Sequence, residues 1–232
     1  MNDVKQTAIS TAAGDESGQE NSFSKGRVEA FSDGVFAVAI TLLVLDIHIQ
    51  DGVEPGKLWH AMTSTEIGIQ YLAYAISFLT IGVMWVNHHR LMSMVKTVDH
   101  SLLYRNLFLL GAVCFIPFPT SVLAQYVHGE NAGEGNMRAA VALYGLANVL
   151  LSVAFTLLWG HLNFRPQLLQ SWVSRATIRR EFIRSASAIG VFAAATAIDI
   201  IAPLVTLILF AVFILALAAL RPRQSPSQPV TT

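Results

Sequence analysis

Three stretches of this chain, residues 70–86, 106–126 and 139–162, contain no Asp, Glu, Lys or Arg, and a fourth, 185–220, contains only Asp199. A helix needs about 20 mainly apolar residues to cross the hydrocarbon core of a bilayer, and these runs supply that length with little else to bury them. The whole chain of 232 residues is 53% hydrophobic and only 13% charged, with a mean hydropathy of +0.53. Soluble domains carry about 25% charged residues, so a soluble enzyme is excluded as the first reading. With 15 basic and 15 acidic residues the net charge is zero, which removes the case for a nucleic-acid partner. The single cysteine, Cys114, excludes an intrachain disulfide framework and a cysteine zinc site.

The runs organise into an all-α membrane protein of six spans, expected at about 28–49, 67–90, 103–126, 139–162, 183–200 and 203–220. As one helix, 185–220 would reach about 54 Å. It is therefore split near Asp199–Pro203, because Pro203 biases Ala202 away from helix. Residues 1–25 and 221–232 are polar and read as disordered tails around a membrane domain at 26–220, with no sign of a cleaved leader. With both termini placed in the cytoplasm, thirteen of the 15 Lys and Arg fall in the tails and the inner loops. Arg165, Arg175, Arg179, Arg180 and Arg184 are assigned to the loop between spans four and five, and only Lys57 and Arg138 stay outside. The outer loop 51–66 contains LWHAM and is expected to form short interfacial helices.

The first span differs from the others. Its charge-free part, 34–45, is only twelve residues long and is flanked by Asp33 and Asp46, so this helix is expected inside the assembly and away from lipid. Every third or fourth residue gives the uncharged stripe Phe31, Val35, Val38, Leu42, Leu45, Ile49, with Thr41 at its border. Such a stripe is ordinarily helix packing, although membrane helix interfaces favour small residues and this one is continuous and apolar. No HExxH, Walker loop, GxSxG or CxxC is present, so there is no catalytic motif. His88 and His89 point about 100° apart on a helix and do not chelate one metal. They remain candidate haem ligands or, with Trp85, interhelical hydrogen-bonding groups. From the residues alone, a membrane assembly protein packed on this stripe and a haem-binding redox protein both stay open.

Arg27, Phe31, Ser32 and Asp33 spell RxxxFSD, followed by GVFAVAITLLVLDI and later by WVNHH and CFIPFPTSVL. This sequence resembles bacterial members of the transmembrane protein 175 family of potassium channels, most strongly over 27–123. The resemblance implies a homotetramer of six-span subunits in the bacterial inner (plasma) membrane, with the first span of each lining a central pore. Self and monovalent cations are then the partners, potassium is the permeant ion, and there is no enzymatic activity or cofactor. It implies a hydrophobic constriction at Val38, Leu42 and Leu45 in place of a TVGYG-type carbonyl filter, with Thr41 adding a hydroxyl ring and a modest preference for potassium over sodium. Val38 is smaller than the isoleucine or leucine common at the innermost position. Arg27, Phe31, Ser32 and Asp33 would lock the helix base, with Trp85 and His88 as hydrogen-bonding partners. Asp33 is expected to pair with Arg27. Glu29 at the inner mouth, with Asp46 and Asp51 at the outer, would enrich cations. The animal relative carries two such repeats per chain, whereas FSD occurs once here, so a pore needs several chains.

Overall fold

The computed structural model describes residues 24–47, 49, 54–126, 133–198 and 212. The tails, the expected sixth span, the turn at Asp199 and the outer-mouth groups (the side chain of Asp46 and all of Asp51) lie outside the described residues. Within them the chain is helical: α1 Lys25–Leu42, α2 Leu58–Met62, α3 Thr65–Met94, α4 His100–Phe115, α5 Pro117–Tyr126, α6 Glu134–Phe164 and α7 Arg175–Ile198, with 3-10 turns at Leu43–Asp46 and Pro166–Leu168. Five candidate membrane spans result, α4 and α5 forming one of them.

The boundaries follow local chemistry. Ser64 accepts from the Ile67 amide and Asp99 from the Leu102 amide, so α3 and α4 each begin on a side-chain cap. Burial disfavours the Asp99 charge. The Leu102 amide and then His161, 3.0 Å from both carboxylate oxygens, outweigh it and hold the Asp99 carboxyl below its ordinary value. That stabilisation is present above the ordinary aspartate range and is lost as pH falls through the depressed native value. Pro117 and Pro119 lie inside the third span, and the helix divides at Ile116, where Pro117 has no amide to donate. Thr120 repairs part of the break by donating its hydroxyl to the Ile116 carbonyl at 2.8 Å.

The core is built around α6, which packs on α7, α4 and α5, while α1 leans on α3 and α4. Gly160 lets α7 approach: a Cβ there would meet the Phe182 ring at 3.2 Å. Ser77 of α3, Thr120 of α5 and Tyr144 of α6 share buried hydroxyl contacts of 2.8 and 3.3 Å, tying three helices where water is excluded. The two loops at the other end are tied by Lys96 N–H to the Leu168 carbonyl (2.7 Å) and Gln170 N–H to the Met94 carbonyl (2.9 Å).

One expectation needs correction. Arg175, Arg179, Arg180 and Arg184 do not sit in a loop; α7 begins at Arg175, so they occupy its first turns. Counting uncharged residues ends a span at its first charge, whereas backbone hydrogen bonding continues and long basic side chains reach out from the helix ends. The first span begins as α-helix and tightens to 3-10 at Leu43. The LWHAM helix does form, with Leu58 and Trp59 exposed.

The early start of α7 has an energetic consequence. Glu181 is 2% exposed; its Oε1 accepts from Arg90 of α3 at 2.8 Å, and Arg184 pairs with Oε2 at 2.7 Å and donates to Asn87. Removing one member of a buried ion pair strands its partners at a cost of about 3–5 kcal/mol. Glu181→Ala is therefore expected to lower the melting midpoint in detergent by several degrees and to loosen α7 from α3. An unchanged midpoint would show that the two arginines need no counter-charge.

Candidate ion pathway and the polar base of the first helix

Side chains on α1 divide cleanly. Val28, Ser32, Phe36 and Ala39 are buried against the subunit, and Leu43 continues that line. On the opposite side Arg27, Ala30, Phe31, Gly34, Ala37, Val38, Thr41 and Leu42 are exposed. Val38 is 55% exposed, Leu42 42% and Leu45 67%. The 3-10 turn over Leu43–Asp46 brings Leu45 nearer to the Leu42 side than continued α-helix would, because residues three apart eclipse in that geometry. Val35 is only partly buried and packs toward the core, and Ile49 is exposed. Thr41 donates its hydroxyl to the Val38 carbonyl at 2.8 Å, so it turns acceptor lone pairs outward.

At the other end of the helix a directed relay joins three helices. Ser32 donates to the Val28 carbonyl at 2.8 Å, which spends its only proton. Its oxygen therefore accepts from the Asn106 amide, 2.9 Å away. Asn106 must then present its carbonyl to His88 Nε2 at 2.8 Å, which makes His88 the Nε2–H donor. Ser32, His88 and Asn106 are all essentially inaccessible, and Phe36 lies 5.4 Å from the His88 ring between centroids. An imidazole so enclosed, with Nε2 engaged, does not reach a haem iron without repacking the helix base. His89 is more open, 3.5 Å from Glu29 and beside the Trp85 ring.

Asp33 accepts from Trp85 Nε1 at 2.9 Å. The expected ion pair with Arg27 does not form among the described residues: positions six apart lie on helix faces about 120° apart and roughly 9 Å along the axis. Arg27 and Phe31 instead stand on the uncovered face. The structure thus brings Ser32, Asp33, Trp85 and His88 to one base and leaves Val38, Thr41, Leu42 and Leu45 on a separate, open wall. Sequence reading missed Asn106, which joins two of those groups. Its signal was a carboxamide at the start of an uncharged run, a residue that in lipid must find a partner on another helix.

Residues 27–117 match the family described as the endosomal/lysosomal potassium channel TMEM175. A potassium channel of Streptomyces collinus is 46% identical over 164 residues, 69% of this chain and 75% of that protein. One from Chamaesiphon minutus is 43% identical over 152 residues, 65% and 71% of the two chains. Among solved structures, the crystal structure of a lysosomal potassium-selective channel TMEM175 homolog from Chamaesiphon minutus superposes with a TM-score of 0.70. It is 33% identical and covers 84% of this chain and 96% of that one.

The relay makes its own test. Asn106→Leu keeps side-chain volume but orphans the His88 N–H and the Ser32 oxygen, each at a cost of about 1–3 kcal/mol. We expect a lower melting midpoint in detergent for Asn106→Leu, and a double variant with His88→Ala that is less destabilised than the two singles together. Strict additivity would show that the groups do not act as one unit.

Proposed function

The chain belongs to the TMEM175 family of potassium channels, and from that premise we propose that it forms a potassium-permeable channel whose constriction is made by apolar side chains of α1. The family is one of ion channels, so no enzymatic activity is assigned. The observation that carries the constriction is the division of α1: one face is fastened into its subunit by the relay, and the other, bearing Val38, Leu42 and Leu45, is exposed. A single copy encloses no pore. In the proposed homotetramer four such faces meet around the axis, each residue forming a ring.

Apolar rings offer an ion no oxygen cage, so permeation demands passage with most of its water retained. Potassium holds its water less tightly than sodium and loses part of it at lower cost, which gives a modest preference for potassium. The outward lone pairs of Thr41 sit between the Val38 and Leu42 levels and offer the permeant ion four acceptors. Glu29 and Asp33 near the base add negative potential at that mouth. The basic residues gathered at the same end, among them Arg27, Arg90, Arg165 and Arg179, favour its placement in the cytoplasm of a bacterial inner membrane.

The proposal is tested by potassium and sodium flux in proteoliposomes, wild type beside Val38→Asn. Wild type is expected to pass potassium faster than sodium. The variant, with a ring that holds water, is expected to let sodium follow and narrow the difference. Absence of flux from both proteins, with the oligomer intact, would assign the α1 stripe to a seam in a non-conducting assembly.

A further inference from the structure

Between α4 and α6, at the basic end of the bundle, a cleft of about 300 Å³ is lined by Ser101, Tyr104, Arg105, Phe108 and Leu157. Four of these are on α4 at spacings of three and four, so they share one helix face. The face is graded. Ser101, Tyr104 and Arg105 stand in the first two turns after the Asp99 cap; Phe108 and Leu157 follow deeper, each partly exposed.

Arg105 differs from Arg90 and Arg184 on the neighbouring helices. Arg90 and Arg184 both meet Glu181. Arg105 meets no carboxylate among the described residues; it makes a long 3.4 Å hydrogen bond from Nη1 to the Leu157 carbonyl, and its Nε is buried without an acceptor. A half-buried guanidinium with donors to spare and no counter-charge sits beside an open apolar wall. The missing partner must carry negative charge with acceptor oxygens at the headgroup level, and hydrocarbon a turn or two deeper.

We propose that this cleft binds an anionic phospholipid of the cytoplasmic leaflet, its phosphate held by Arg105 with Ser101 and Tyr104 alongside and the start of an acyl chain lying on Phe108 and Leu157. The inference rests on the membrane placement given above but not on conduction. Arg donors fork onto phosphate oxygens, and basic pockets between spans on the cytoplasmic side suit anionic headgroups. A soluble anion would satisfy Arg105 and leave Phe108 and Leu157 bare. A zwitterionic lipid would cover the wall but bring its own cation to the guanidinium.

The test is native mass spectrometry of the detergent-released full-length oligomer exchanged into phosphatidylglycerol or phosphatidylcholine. Wild type is expected to retain phosphatidylglycerol in preference, and Arg105→Gln to lose that retention by about fivefold with phosphatidylcholine unchanged. Arg105→Lys, which keeps the charge, is expected to retain most of it, and Arg138→Gln, at the opposite end and paired with Glu134, all of it. Equal phosphatidylglycerol retention by wild type and Arg105→Gln overturns the proposal. So does displacement of the lipid by excess inorganic phosphate, which would mark a small-anion site. Efficient disulfide linkage of subunits through Tyr104→Cys would overturn it too, by showing that a neighbouring copy fills the cleft. Because the readout is bound lipid and not flux, its failure is separable from failure of the channel assignment.

Discussion

The relay from His88 through Asn106 to Ser32 sets the rotation of α1 about its own axis, and the arrangement of the proposed pore wall depends on that rotation. Helix α1 has few large buried side chains: Val28, Phe36 and Leu43 form a narrow line. In lipid, apolar side chains are nearly as content against acyl chains as against protein, so such a line does little to fix which face turns inward. Hydrogen bonds do, because an unpaired polar group in hydrocarbon is costly and its direction is fixed. Ser32 with one proton, Asn106 with two functions and His88 with one N–H connect in a single order. A quarter turn of α1 would break the contact to Ser32 and, beside it, the Trp85–Asp33 bond.

What the relay grips must itself hold still, and the rest of the fold supplies that. α3 and α4 carry His88 and Asn106. α3 is pinned at one end by the Arg90–Glu181–Arg184 cluster to α7, and part-way along by the hydroxyls of Ser77, Thr120 and Tyr144 to α5 and α6. α4 is seated on α6 by close apolar packing and by the Asp99–His161 contact at its start. Polar ties therefore recur on successive helix pairs, and apolar packing fills between them. This is the distribution expected where burial of hydrocarbon contributes little to helix choice.

Much of this could be read from the sequence, and the parts that could not have a common cause. Uncharged runs located the spans that the structure describes, and the 3.6-residue period put Val38, Leu42 and Leu45 on one stripe. Periodicity alone did not say whether that stripe was covered, because coverage depends on neighbours far along the chain. Single charges misled in both directions. Arg175–Arg184 looked like a loop because charge was taken to end a helix, and Glu181 gave no sign of being buried. Its partners are 91 residues earlier in Arg90 and one turn later in Arg184, and only the second separation is visible locally. Asp33 was assigned to Arg27 by nearness in sequence, whereas helix geometry gave it to Trp85, 52 residues away. The sixth span and the outer mouth lie outside the described residues, so their reading remains one of sequence.

The 3-10 ending of the first span bears on how an apolar constriction would work. Had α1 continued as α-helix, Leu45 would sit about 60° around from Leu42, and rings built from them would be staggered. The 3-10 turn reduces that offset, so in the proposed tetramer both side chains turn toward the axis and the dewetted length of the pore increases. Thr41 counters this from one residue earlier: its proton is committed to the Val38 carbonyl, which leaves the oxygen able to accept but not to donate outward. An acceptor-only ring suits a cation or the hydrogens of its hydration water and repels anions. In this reading charge selection and size selection fall to different residues on one helix turn, Thr41 for the sign of the ion and Val38 with the leucines for how much water it keeps.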